Sequence, residues 1–319
     1  MSARRQTQSY LRSLFAQRGI APQHRYGQNF LIDLNLHAVI VKAAEISPRD
    51  VILEVGPGAG AMTALMAERA SAVVAVEIDP AMAALTAGAT ADRLNVRVLQ
   101  TDALAGKNTI NPDVLDNVRA GLAVSPERQF KLVANLPFKV ATPVVTNLLV
   151  HPEFCPSLIV ATIQLELAER MRAEPQSEAY GSLSVVVQAL ADFELVRVLP
   201  PSVFWPRPKV DSAIVKLTPN AEKRAVVGDL PWFHSIVRQI FLHRRKNLRG
   251  VLHSLWRDRW TKSDVDALLE GLGLTGQVRA EAMNVEEFID LAVALKNHLG
   301  PSASSPPLEE GEEVNHEAT

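Results

Sequence analysis

Short apolar runs alternate along most of this chain with longer stretches in which apolar positions recur every three or four residues. The runs at 51–56, 72–79, 96–102, 130–138 and 157–164 are rich in Val, Ile and Leu and read as strands. The stretches at 36–46, 61–70, 81–89, 166–173 and 182–193 carry helical spacing. Because the strands are apolar throughout rather than alternating, they are expected in a mostly parallel sheet covered on both faces by helices. The last two strands, 194–200 and 212–219, follow each other with no helix between them and could add an antiparallel edge. Beyond Pro219 the period is helical only, at 230–245, 247–256, 263–273 and 284–299, and Asn284 followed by Glu287 has the spacing of a capping box. The pattern predicts a basic N-terminal segment (1–35), an α/β domain (36–219) and a small all-helical domain (220–300). The tail 301–319, rich in Pro, Ser and Glu, is expected to be disordered.

Chemistry concentrates where the runs end. Gly56-Pro57-Gly58-Ala59-Gly60-Ala61 follows the first strand and opens a helix, so backbone could approach a ligand there; taken by itself it fits dinucleotide-binding dehydrogenases as well. Glu77 ends the next strand, 21 residues after Gly56, where a carboxylate can accept both ribose hydroxyls of an adenosine. Asp102 ends the third strand, in reach of an adenine amino group. Asn135-Leu136-Pro137-Phe138 ends the fourth, and it separates the readings: a dehydrogenase has no use for this turn, whereas alkylation of an exocyclic amine does. Two acceptors, the Asn135 side chain and the Leu136 carbonyl, could hold the two N–H hydrogens of an adenine amine while its nitrogen attacks the activated methyl of S-adenosylmethionine. Pro137 would aim that carbonyl, and Phe138 would offer a face for the base.

Together with these segments, Gln28-Asn29-Phe30-Leu31, Glu54-Val55-Gly56, Glu77-Ile78-Asp79, Asp102-Ala103 and 203–212 (VFWPRPKVDS) resemble the small-subunit ribosomal RNA adenine dimethyltransferases, the KsgA/RsmA/Dim family. The likeness runs from about residue 10 to 298 and extends to 179–185, 241–249 and 279–288. It implies a class I methyltransferase fold, Rossmann-like, with a mostly parallel seven-stranded sheet. Asn29 and Leu31 would close over S-adenosylmethionine; Gly56 and Gly58, Glu77 and Ile78, and Asp102 and Ala103 would complete its site with Asn135. Phe138 and Phe204 would sandwich the target base. The implied product is N6,N6-dimethyladenosine at two adjacent adenosines in the 3′-terminal hairpin loop of 16S rRNA, made by a monomer in the cytoplasm. The family commonly has Tyr where Phe138 stands, so a hydroxyl is missing while stacking survives. The stretch between Asp102 and Asn135 is longer than usual, and about 105–129 is expected as a polar surface loop. Two other readings stay open: the sibling branch that dimethylates one adenosine of 23S rRNA, and a non-catalytic ribosome-assembly or transcription factor.

Charge supports a polyanionic partner only when read by segment. The chain's net charge of −2 hides 14 basic against 4 acidic residues in 197–262, five Arg with no acid in 1–32, and five acids in the tail. Lys209, Arg244, Arg245, Lys246 and Arg249 are the expected phosphate contacts, which set affinity rather than base choice. A single cysteine, Cys155, excludes an internal disulfide and fits a reducing setting, and the eight His show no metal-ligand spacing. No run of 18 apolar residues is present to span a membrane.

Overall fold

The computed structural model describes residues 7–106 and 109–300; Arg4, Arg5 and the acidic tail 301–319 lie outside them. The chain begins with α1 (Gln8–Arg18), β1 (Phe30–Leu31), α2 (Leu34–Ala43), β2 (Asp50–Val55), α3 (Ala61–Ala67), β3 (Ala72–Glu77) and α4 (Pro80–Ala89). It continues through β4 (Val96–Gln100), β5 (Leu104–Gly106), β6 (Thr109–Ile110), α5 (Pro112–Leu122), β7 (Gln129–Asn135), α6 (Phe138–Val150) and β8 (Leu158–Gln164). Then come α7 (Leu165–Met171), α8 (Ser182–Leu190), β9 (Ala191–Leu199), β10 (Phe204–Trp205) and β11 (Ser212–Pro219). Five helices follow: α9 (Ala221–Val227), α10 (Leu230–Leu242), α11 (Leu248–Leu255), α12 (Lys262–Gly271) and α13 (Val285–Leu299). Among the described residues no helix is long and apolar enough to cross a membrane.

These elements form two compact units. The first takes the chain up to Glu169 and returns for Ala191–Pro219; the second joins Arg170–Leu190 to the chain from Asn220 onward. The contiguous division at 219/220 expected from the sequence therefore shifts, because α8 belongs with the C-terminal helices. Its run SLSVVVQAL is buried at seven of nine positions, a pattern that suits either a sheet-covering helix or a helix among helices.

In the first unit seven strands lie in the order β4-β3-β2-β7-β8-β11-β9. Neighbours from β4 to β8 pair in parallel, and β11 runs antiparallel to both β8 and β9, as the missing helix before it suggested. The central strands are buried on both faces: Val51, Ile52 and Leu53 are fully covered, each contributing roughly 1.5–3 kcal/mol. After β2 the chain fills β3 and β4 on one side and then crosses to β7 on the other. The C-terminal ends of β2 and β7 thus flank a switch point, where open α/β sheets bind ligands. At the opposite ends of those two strands, buried Lys131 donates to Asp50 (2.9 Å) and to the carbonyls of Ala44 and Glu45.

Residues 105–129 are not the surface loop expected. They carry α5, capped by Asn111 with Pro112 in its first turn, and its Val114 and Val118 are fully buried. Two apolar residues four apart suffice for a helix that packs on β2 and β3, yet leave the segment polar in composition. The helical reading of 182–193 also ends early, at Leu190, where β9 begins.

In the second unit Tyr180 donates its hydroxyl to the Met283 carbonyl (2.9 Å), and the Trp232 indole donates to Ala292 (2.8 Å). The capping box at Asn284 and Glu287 is formed in both directions.

Candidate active site

A pocket opens at the C-terminal edge of the parallel strands, lined from β2, β3, β4 and β7 and roofed by residues 25–30. The glycine loop that forms its base needs glycine for two reasons. Gly56 and Gly58 have φ of +76° and +61°, and a Cβ on Gly56 would stand 2.9 Å from the Pro137 ring; on Gly58 it would stand 3.0 Å from the Phe30 ring. The loop is held by the Gly56 amide on the Val76 carbonyl (2.9 Å) and by the Thr86 hydroxyl on the Gly58 carbonyl (2.9 Å).

Two carboxyl groups sit under and beside that loop. Glu77, at the end of β3, accepts from the amides of Gly58 (3.3 Å) and Asp79 (3.0 Å), and burial pushes its carboxyl above the usual range against those bonds. Glu54, inside β2, is driven up to about 8 by complete burial; the Thr63 hydroxyl bond (2.6 Å) opposes the shift and the charge of Glu77 adds to it. Burial thus makes Glu54 hold its proton more tightly than an ordinary carboxyl, beneath a loop whose other acid lines the pocket.

Asn135 terminates β7, and its Nδ2 donates to the carbonyl of Asn29 (3.0 Å). The side-chain amide is thereby oriented, with one of its two N–H donors engaged and its Oδ1 left as acceptor. Asn29 in turn donates to the Gly27 carbonyl (3.3 Å). One residue earlier, Gln28 donates to Asp79 (2.9 Å), the residue that caps α4, so the segment over the pocket is latched at two neighbouring points. Behind it, Phe15 of α1 meets Phe30 and Trp205 edge-on at 5.4 Å each, an aromatic cluster that seats α1 and the β1–β10 pair.

Of the residues singled out from sequence, the pocket gathers Asn29, Gly56, Gly58, Glu77, Ile78, Asp102, Ala103, Asn135, Leu136, Pro137 and Phe138. Ile78 is 42% exposed, an apolar face left open in the pocket, and Asp102 has one oxygen accepting from the Leu104 amide (2.9 Å). Leu31 and Phe204 pair across the β1–β10 ladder, 4% and 3% exposed, and belong to the hydrophobic core beside this pocket rather than to its lining. The pocket adds Arg25, Tyr26, Thr101 and Lys139, which the sequence reading missed although Arg25 adjoins the Gln28 motif and Lys139 directly follows Phe138.

In the second unit, two of the expected RNA contacts are engaged internally. Arg244 donates through Nε to Glu281 (3.0 Å) and through its other nitrogens to the carbonyls of Glu178 (2.9 Å) and Ser177 (3.2 Å). Arg249 pairs with Asp266 (2.6 Å). Arg245 and Lys246 are exposed there, as Lys209 is in the first unit.

Similarity to known proteins agrees with this geometry. The family model for ribosomal RNA adenine dimethylase matches residues 21–296. Ribosomal RNA small subunit methyltransferase A of Moorella thermoacetica is 37% identical over 89% of this chain and 96% of its own length. The protein of the same name from Ligilactobacillus salivarius is 38% identical over 89% and 93%. A dimethyladenosine transferase from Plasmodium falciparum shares the fold (TM-score 0.65, 23% identity, 81% of this chain and 94% of that one). The 23S rRNA methyltransferase ErmE superposes with a TM-score of 0.55 at 27% identity over 84% and 99%. With a class I methyltransferase sheet, a glycine loop at its switch point and a pinned Asn at the end of β7, the chain belongs to the ribosomal RNA adenine dimethylase family.

Proposed function

We propose that this chain transfers methyl groups from S-adenosylmethionine to N6 of two adjacent adenosines in the 3′-terminal hairpin loop of 16S rRNA. It would act as a monomer in the cytoplasm on the small subunit or its precursor. The pinned amide of Asn135 carries the reading, because it leaves one oriented acceptor at the strand end between an acid-lined pocket and an aromatic ring. Small-subunit rRNA is favoured over 23S rRNA by relatives of 37–38% identity that carry the small-subunit name.

The pocket residues fit the donor. The glycine cradle gives backbone access that a Cβ at Gly56 would close, and Glu77 directs a carboxylate toward a ribose diol. Asp102 retains an oxygen for an adenine amino group, and Ile78 offers an apolar face to the ring. When bound there, S-adenosylmethionine supplies an electrophilic methyl on a positively charged sulfur, which the acidic wall suits. Asn135 Oδ1 and the Leu136 carbonyl would accept the two N–H hydrogens of the target amine, drawing its lone pair out of conjugation with the ring. Since the amine proton is lost only after the nitrogen becomes positive, no strong base is required of the chain. Phe138 would stack on the everted adenine.

Mapping by primer extension and mass spectrometry in cells lacking the protein tests this. Two unmethylated adenosines in the 16S hairpin, restored by the purified protein with S-adenosylmethionine on small-subunit particles, are the expected result. Fully modified 16S rRNA in those cells, or a change confined to 23S rRNA, would overturn it.

A further inference from the structure

We infer that Arg25 and Lys139 form a cationic rim on the pocket that grips the phosphodiesters on either side of the target nucleotide, and so positions that nucleotide for entry. The inference rests on the proposed reaction and assigns a phosphate-binding role to residues outside the expected basic set.

Both side chains line the pocket, and both are exposed. They reach it from two elements tied to the same amide. Lys139 lies four residues after Asn135; Arg25 lies four residues before Asn29, whose carbonyl accepts from Asn135. The two segments run side by side: a Cβ on Gly27, two residues after Arg25, would stand 3.7 Å from the Phe138 backbone nitrogen, next to Lys139. The Arg25 guanidinium lies over the ring of Tyr26 at 4.5 Å, a cation–π contact that restrains a long, exposed side chain. The acids of the pocket, Glu77 and Asp102, are oriented at the strand ends by backbone amides, at 3.0–3.3 Å and 2.9 Å. The pocket therefore divides into an acidic floor and a basic rim. A cationic donor suits the floor. A nucleotide that turns its base inward must leave its two flanking phosphates at the mouth, where the rim stands. Contacts of this kind are equal in the bound and reacting states, so they act on KM rather than kcat.

The test measures single-turnover and steady-state methylation of small-subunit particles by Arg25→Ala, Lys139→Ala and the double variant, beside equilibrium binding of S-adenosylmethionine. In parallel, fluorescence anisotropy follows a labelled RNA hairpin against salt, which needs no turnover. Each single variant is expected to raise KM for RNA about fivefold with kcat unchanged, and to lower the salt slope of RNA binding by about 1. S-adenosylmethionine affinity stays within about twofold of the parent. Charge-keeping variants, Arg25→Lys and Lys139→Arg, recover most of the loss. An unchanged salt slope overturns the inference, and so does a fall in S-adenosylmethionine affinity without a fall in RNA affinity, which would place the cations on the donor's carboxylate. If the parent protein methylates no RNA, the proposed function falls, while the salt slope still decides whether the rim binds phosphates.

Discussion

The two basic regions of this chain behave differently, and the difference separates counting charge from knowing where it points. In the second unit Arg244 and Arg249 stand in the most basic stretch of the sequence, yet both are paired with acids of their own unit. In the first unit Arg25 and Lys139 lie outside that stretch, yet both line the pocket. A positive segment sum describes supply. Whether a cation meets solvent or a carboxylate depends on which helices pack together, and Glu281 is 37 residues from the arginine it holds.

The comparison is sharpest at Asn135, whose place at the sheet edge is set by the strand order and whose amide is held by the Asn29 carbonyl. Asn135→Ala removes the proposed acceptor for the amine and frees the Asn29 carbonyl. Methyl transfer is expected to drop by about 10²–10³ in kcat, the scale on which a single oriented transition-state contact acts, while the melting transition moves little. Incorporation of labelled methyl groups into small-subunit particles measures it, and near-parental turnover would detach the strand-end site from the chemistry.

The legible part of the molecule follows the same division. Strand ends could be read because β2, β3, β4 and β7 are parallel neighbours: residues that end them, such as Glu77, Asp102 and Asn135, must converge on one edge whatever the loops do. What lay between or beyond those ends was harder. Phe204 sits in a motif that suggested a stacking face, but pairing of β10 with β1 turns its ring into the core. The helix α5 is hard to read because only two valines bury it, and the unit to which α8 belongs is hidden because an apolar helix carries no mark of its partner. The latch from Gln28 to Asp79 spans 51 residues, and neither residue's type specifies the other.

Buried charge extends the comparison to pH. Glu54 has a folded-state pKa of about 8 against an ordinary value of 4.5, so the folded state binds the extra proton. Its contribution is fully present below pH 4.5 and is lost as pH rises through about 8. Glu54→Gln, neutral at every pH, should therefore gain stability over the parent as pH rises from 5 to 8, by about 2–4 kcal/mol, read from urea unfolding at each pH. A difference independent of pH would mean that Glu54 is ionised in the fold.

Arg244 and its sequence neighbour Arg245 offer a smaller and more direct contrast. Arg244→Ala leaves the Glu281 carboxylate and the Ser177 and Glu178 carbonyls without their donor. Arg244 and Glu281 are each about a third exposed, so solvent screens part of the loss, and about 1–2 kcal/mol of stability is expected to go. Arg245→Ala should change stability by less than about 0.5 kcal/mol, because the side chain is exposed. Equal losses in urea unfolding would erase the distinction between a cation used by the fold and one left for a partner.

The smallest effect isolates that remaining supply. Arg245 and Lys246 are exposed and adjacent, so replacing both with Ala removes two surface charges. If they meet phosphates, RNA affinity should weaken similarly on hairpins of different sequence, and the slope of log affinity against log salt should fall by about 1 for each phosphate no longer neutralised. A change that depended on hairpin sequence would instead mean base recognition by the second unit. No change in slope would leave the first-unit rim, together with exposed Lys209, as the surface that meets the RNA backbone, and the basic stretch would then serve chiefly the folding of its own helices.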